Sequence, residues 1–141
     1  MRGGQPITSS GPRLRPRVLV VDDDPEIRAL YAWCLRASGW TVGEADDGLE
    51  ALEAVCGFAP DAVIMDVGLP SVNGLEVVRR LRADAETAQV RVVACTGECG
   101  HEAEAIESGC DAFVRKPCGP DDLRELLEEL VFYRSPAGQI A

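Results

Sequence analysis

Four short apolar runs in this 141-residue chain each end on a residue able to do polar chemistry. VLVV runs into Asp22 and Asp23, AVIM into Asp66, RVVAC into Thr96, and AFVR into Lys116. Three carboxylates, a hydroxyl and an ammonium in one place would suit a divalent cation and a phosphoryl group. Mg2+ takes a few carboxylate or carbonyl oxygens and keeps several waters. Asp23 and Asp66, with a backbone carbonyl from the loop after Asp66, offer such a partial shell, which Asp22 joins directly or through water. Without a cation the three carboxylates repel one another and their pKa values rise, so the cluster predicts a metal. A carboxylate that attacks phosphorus becomes an acyl phosphate, and Lys116 and Thr96 are suited to meet the incoming charge. The competing reading has Asp22 to Asp24 cap a helix N-terminus, which accounts for the acids at one strand end but not for Thr96 and Lys116 at two others.

What could gather these residues is a parallel sheet with helical crossovers, whose strands deliver their carboxyl ends to one edge. Val18–Val21 reads as a fully buried strand, and Pro25 opens a helix behind Asp24 as its N-cap. Ile27, Leu30, Tyr31, Cys34 and Leu35 stripe that helix at helical spacing, and Gly39 stops it. Residues 40–45 form a second strand, and Leu49, Leu52, Val55 and Cys56 stripe a second helix ending near Gly57 to Pro60. Ala62–Met65 is the third strand, followed by the loop DVGLPSVNG and a helix marked by Leu75, Val78 and Leu81, with Arg79, Arg80 and Arg82 on its other face. Val90–Cys95 is the fourth strand, Glu102–Ser108 a short helix broken by Gly109, and Asp111–Arg115 the fifth strand. Residues 120–132 form a last helix, with Leu123, Leu126, Leu127, Leu130 and Val131 facing inward.

This is (βα)5, a doubly wound α/β fold with a five-stranded parallel sheet expected in the order 2-1-3-4-5. In that order the switch point lies between the first and third strands. Asp22, Asp23 and Asp66 end those two strands, so topology and chemistry select the same crevice.

Composition bounds the reading further. The length suits one domain, and 46% hydrophobic with 27% charged residues is a globular balance. No apolar run approaches the roughly 18 residues of a membrane span, and the opening MRGGQPITSSGPRLRPR lacks the apolar stretch of a signal peptide. The expected address is cytoplasmic, without membrane insertion. Net charge is -10, yet residues 1–17 hold four arginines and no acid, leaving ten basic residues against all 24 acids in the remainder. Residues 1–16 read as a disordered basic tail, 17–133 as one domain and 134–141 as a short C-terminal tail. The acidic body argues against direct nucleic acid binding, which rests on neutralised phosphates. Six cysteines show no CxxC pair and a single histidine, His101, so no zinc pattern arises. Cys34 and Cys56 fall on apolar helix positions as small hydrophobes, whereas Cys95, Cys99 and Cys118 flank the strand-end residues.

The chain resembles the receiver domains of two-component response regulators over about residues 17 to 133, through VLVVDDDPEIR, VIMDVGLPSVNG, VVACTG and FVRKP. The resemblance implies a flavodoxin-like fold and, with only FYRSPAGQIA after Val131, a single-domain, chemotaxis-regulator-like type. Asp22 and Asp23 match the acidic pair, with Asp23 a direct Mg2+ ligand; Asp66 matches the phosphorylated aspartate, and Gly68 the position whose carbonyl completes the metal shell. Thr96 matches the switch hydroxyl, Lys116 the lysine of the site, and Phe113 the rotating aromatic. Phe113 lacks the hydroxyl of the tyrosine often found there, so its switching works by packing. The Lys116 to Pro117 bond is cis in that family. Gly68 and Glu98 occupy positions that tune the acyl-phosphate lifetime, Gly97 leaves the phosphoryl group open, and His101 reads as a solvated loop residue.

The function so implied is a phosphorylation-dependent signalling switch. Asp66 accepts a phosphoryl group from a sensor histidine kinase with Mg2+, and the surface of helix 4, strand 5 and helix 5 changes to control a downstream protein target or a phosphotransfer protein. A weak homodimer is a further partner of this kind of domain. The chain is then no enzyme toward external substrates and catalyses only its own phosphorylation and dephosphorylation. The alternative is a pseudo-receiver, a binding module independent of phosphate. A phosphatase with an aspartate nucleophile would want a second aspartate where Gly68 stands.

Overall fold

Strands that carry Val, Leu and Ile without polar alternation must be covered on both faces. The computed structural model of the protein, which describes residues 15–98 and 100–133, meets that demand. The expectations for residues 1–14 and 134–141 and for Cys99 lie outside the described residues. In chain order the elements are β1 (Arg17–Val21), α1 (Pro25–Ala37), β2 (Thr41–Ala45), α2 (Gly48–Phe58), β3 (Ala62–Asp66), α3 (Gly74–Ala83), β4 (Arg91–Thr96), α4 (Glu102–Ser108), β5 (Ala112–Arg115) and α5 (Pro120–Glu128). All four strand pairings are parallel, and the sheet order is β2-β1-β3-β4-β5, as expected.

Two apolar layers sandwich the sheet. On one face Val18, Val20, Ile64 and Val93 pack with Tyr31 and Leu35 of α1 and Leu123 and Leu127 of α5. On the other, Leu19, Val21, Val63, Met65 and Val92 meet Ala51 and Val55 of α2 and Val77, Val78 and Leu81 of α3. Alternate residues of one strand thus serve opposite layers, which is why the runs read as unbroken apolar sequence.

Local signals set the helix starts beside the site. Asp24 caps α1, its side chain accepting from the Glu26 and Ile27 N–H groups at 2.9 and 3.3 Å. Asn73 caps α3 through the Leu75 N–H at 2.8 Å. Gly74 follows because a Cβ there would collide with the Asp66 carbonyl oxygen, so α3 can start hard against the end of β3. Gly109 ends α4 with φ of +107°.

Several expectations are corrected. In α2 the covered residues are Gly48, Ala51 and Val55, while Leu49 is 54% exposed and Cys56 is exposed, because α3 and the sheet cover a face turned away from the expected stripe. Leu30 of α1 is likewise 49% exposed, and so is Trp33, at 70%. The last helix is α-helical only to Glu128 and widens to a π-helical turn over Glu129–Tyr133, which buries Leu130 and sets Phe132 beside Trp40 with ring centroids 6.1 Å apart. Asp111 lies just before β5 rather than in it. Its carboxylate bridges Arg82 at 2.9 Å and Arg91 at 3.5 Å and accepts the Val92 N–H at 2.8 Å, clasping α3 to the lower ends of β4 and β5.

Candidate functional site

Parallel strands place the last residues of β1, β3, β4 and β5 along one edge, and the expected groups meet there. Carboxylate oxygens of Asp22, Asp23 and Asp66 all lie within 4.8 Å of one another. Asp66 ends β3 and is buried, 8% exposed; Thr96 ends β4 at 2%; Lys116 directly follows β5. The Lys116 ammonium sits 2.8 Å from Asp22 Oδ2 and 3.5 Å from Asp66 Oδ2. The sheet register sets Asp66 opposite Cys95 and Thr96 opposite Arg115, so the hydroxyl and the ammonium arrive from adjoining strand ends.

The three acids differ in what they have left to offer. Asp22 Oδ1 accepts the Asp24 N–H at 2.9 Å while its Oδ2 holds Lys116, so both oxygens are engaged. Asp66 Oδ1 accepts the Gly68 N–H at 3.3 Å. Asp23 is exposed, and among the described residues its carboxylate enters no hydrogen bond or ion pair. The capping reading therefore belongs to Asp24 alone: Asp22 faces the crevice with both oxygens engaged, and Asp23 brings a carboxylate with no partner among the described residues.

Burial is the main reason the Asp66 carboxyl is held above its ordinary range. The Lys116 charge pulls it back down, and the Asp22 charge, with a smaller contribution from Asp23, pushes it up again. For Lys116, burial opposes the charged form, yet the Asp22 hydrogen bond and the Asp66 charge outweigh it and leave the ammonium above its ordinary value. The site is an acid cluster short of positive charge, which is what a divalent cation corrects.

The remaining expected residues fall as follows. Gly68 stands exposed in the loop after β3, with open space where a side chain would go. Thr96 Oγ1 accepts the Glu98 N–H at 3.1 Å, leaving its proton to donate. Phe113 of β5 packs, partly buried, against Val67, Leu75, Ala94 and Ala105. A Cβ on Gly97 would meet the Lys116 Cβ at 3.9 Å, an ordinary contact, so that flank has room for a side chain and glycine leaves it empty. Glu98 turns away to His101 at 3.0 Å, and His101 also lies 3.8 Å from Glu104, so that pair sits on the rim rather than in the crevice. The Lys116 to Pro117 bond is cis, as expected. Cys95 is buried and its thiol is pushed up to about 12, by burial first, which leaves it inert.

Two site-shaping residues carried no functional signal in the sequence. Arg28 donates to the Asp22 carbonyl at 2.8 Å and pairs with Glu44 at 3.2 Å, bracing the turn between β1 and α1. The Tyr31 hydroxyl donates to the Cys118 carbonyl at 2.9 Å. Tyr31 belongs to the inward apolar stripe of α1 and Arg28 to its polar side, so each reads as ordinary helix amphipathicity.

Comparison with known proteins agrees with this fold. The family described as response regulator receiver domain matches residues 18–128. The DNA-binding response regulator MtrA of Mycolicibacterium smegmatis is 40% identical over 110 residues, covering 78% of this chain and 48% of MtrA. This chain thus spans about half the length of the curated relatives it matches. The chemotaxis response regulator CheY4 of Vibrio cholerae superposes with a TM-score of 0.77 at 29% identity, covering 82% of this chain and 98% of CheY4. The receiver domain of the sensor histidine kinase PA1611 of Pseudomonas aeruginosa PAO1, with a magnesium ion coordinated in its active site cleft, superposes at 0.77 and 25% identity over 83% of this chain and 98% of that one.

Proposed function

Since the chain belongs to the response regulator receiver domain family, we propose that it is a phosphorylation-dependent switch in which Asp66 accepts a phosphoryl group from a sensor histidine kinase. The observation that carries this reading is the convergence at Asp66: two further carboxylates within 4.8 Å and the Lys116 ammonium at 3.5 Å. An Asp66 carboxylate oxygen attacks phosphorus, the nitrogen–phosphorus bond of the donor phosphohistidine breaks, and its electron pair leaves with the imidazole. The product is an acyl phosphate on Asp66.

The donor set fits Mg2+, with Asp23 and Asp66 as ligands, Asp22 beside them and the Gly68 carbonyl on the same loop. When bound, Mg2+ supplies positive charge to the phosphoryl oxygens. Lys116 supplies the rest, and the Thr96 hydroxyl donates to a phosphoryl oxygen. Contacts available only in the phosphorylated state draw Thr96 inward, and Phe113 repacks behind it against α4, reshaping the surface of α4, β5 and α5 for a protein partner. Within this reading the domain turns over no external substrate. Its acidic body is poorly suited to neutralising nucleic acid phosphates, whereas MtrA, of which the match covers 48%, is named a DNA-binding response regulator. No helix among the described residues is long and apolar enough to cross a membrane.

Incubating the protein with Mg2+ and a small acyl phosphate donor is expected to add one phosphoryl group, read by intact mass. A wild type that gains none would leave the phosphate-independent binding module as the better reading.

The acid cluster also sets a pH dependence. Because the folded-state pKa of Asp66 is raised, the native protein takes up this proton before the unfolded chain does. Acidification through that window, from the raised value down toward 3.8, favours the fold at this site and removes a cation ligand. The rise in thermal midpoint on adding Mg2+ should therefore shrink as the pH is lowered from neutrality toward 3.8. An increment that stays constant over that whole range would contradict the assignment of Asp66 to the metal shell.

A further inference from the structure

Among the described residues, one side-chain hydrogen bond fastens the turn that carries Lys116 to helix α1. The Lys116 N–H donates to the Thr96 carbonyl at 2.8 Å, and the Gly119 carbonyl accepts the first turn of α5 through Leu123 at 3.1 Å. Between those two anchors Pro117 has no N–H to give, and the described backbone–backbone hydrogen bonds pass over residues 117 and 118. The Tyr31 hydroxyl fills the gap, donating to the Cys118 carbonyl at 2.9 Å across 87 positions of sequence. The Tyr31 side chain is otherwise core, 4% exposed, packed beneath the sheet with Leu35 and Leu123.

Phenylalanine would satisfy that packing. A hydroxyl taken this deep costs free energy unless it is bonded, so its presence is tied to the carbonyl it meets. What the bond steadies is a group without a substitute: Lys116 is the only lysine in the chain, and its ammonium spans Asp22 and Asp66. Tyr31 also lines, with Ile27, Leu30, Pro117 and Cys118, an apolar groove of about 320 Å³ that reaches Lys116.

We propose that Tyr31 is a positioning residue for phosphoryl transfer, its hydroxyl holding the Lys116–Cys118 turn against α1 and so fixing the Lys116 ammonium over Asp66. The proposal rests on the reading of Asp66 as phosphoryl acceptor. Burial pushes the Tyr31 phenol up to about 12, so the donor keeps its proton throughout the physiological range.

The test is Tyr31→Phe in the full chain, with two independent readouts. Labelling with [13Cε]lysine gives one resonance, from Lys116, and in the absence of any phosphodonor that resonance is expected to shift and broaden in the variant. Phosphorylation by a small acyl phosphate at saturating Mg2+ should slow about fivefold, the size of one neutral hydrogen bond expressed in a rate. Mg2+ affinity should stay within about twofold of wild type, since Tyr31 hydrogen-bonds none of the three carboxylates. An unchanged rate overturns the proposal whatever the resonance does. So does a loss of Mg2+ affinity and thermal midpoint in step with the rate, which would mark Tyr31 as merely structural. If wild type takes no phosphoryl group, the acceptor reading fails by itself, and the resonance alone then decides whether Tyr31 holds Lys116.

Discussion

Asp66→Ala is expected to abolish phosphorylation outright while leaving the protein, without Mg2+, at least as resistant to heat as wild type. The first half follows from chemistry. Alanine has no oxygen to attack phosphorus, and neither remaining acid can replace it: Asp22 has both oxygens engaged, by Asp24 and Lys116, and Asp23 lies out on the exposed side. The second half follows from burial. Asp66 is 8% exposed and lies beside two other carboxylates, an arrangement that holds its pKa up and so weighs against the ionised fold near neutrality. Removing it leaves Lys116 with its closer partner, Asp22, at 2.8 Å. Intact mass after treatment with phosphodonor reads the first effect and a thermal melt in chelator the second. Phosphate retained on the variant would move the acceptor to another residue; a clear drop in the melt would mean that Asp66 holds the fold together rather than straining it.

Asp23→Ala should separate cation binding from everything else. Its carboxylate carries no structural hydrogen bond or ion pair among the described residues and is exposed, so the fold loses nothing and the melt without Mg2+ should be unchanged. Mg2+ affinity should fall on the order of a hundredfold, since a cation that relies on one or two carboxylates cannot spare the one with free oxygens. Phosphorylation at low Mg2+ should fall with it and recover in part as Mg2+ is raised. Calorimetric titration measures the affinity directly. Binding as tight as wild type would place the cation on Asp22 and Asp66 instead.

Those residues were legible because each closes a short apolar run, and a parallel sheet leaves little choice about where such ends go. Asp24 as cap and Gly109 as helix stop were legible for a similar reason: both act on backbone a few residues away. Helix faces were less so. Leu30, Leu49 and Cys56 fit an apolar stripe by spacing but stand partly or wholly uncovered, because the width of a buried stripe depends on which helices lie alongside. Ala51 and Gly48 are covered in α2 instead, where small residues let the loop before α3 come close; a Cβ on Gly48 would strike the Val72 carbonyl. The clasp of Arg82, Arg91 and Asp111 escaped too, since three charges from three elements form no local pattern.

By itself, then, the order of residues determined the sheet, its strand order and the identity of the five groups at its edge, since periodicity and strand ends are local properties that topology adds up. Only the tertiary structure decided how those groups divide the work. It engages both oxygens of Asp22, leaves those of Asp23 free, sets Lys116 between Asp22 and Asp66, and ties the Lys116 turn to Tyr31 across 87 positions. Hydrogen bonds and charge pairs act over a few ångströms in space, and spacing along the chain carries no record of those distances.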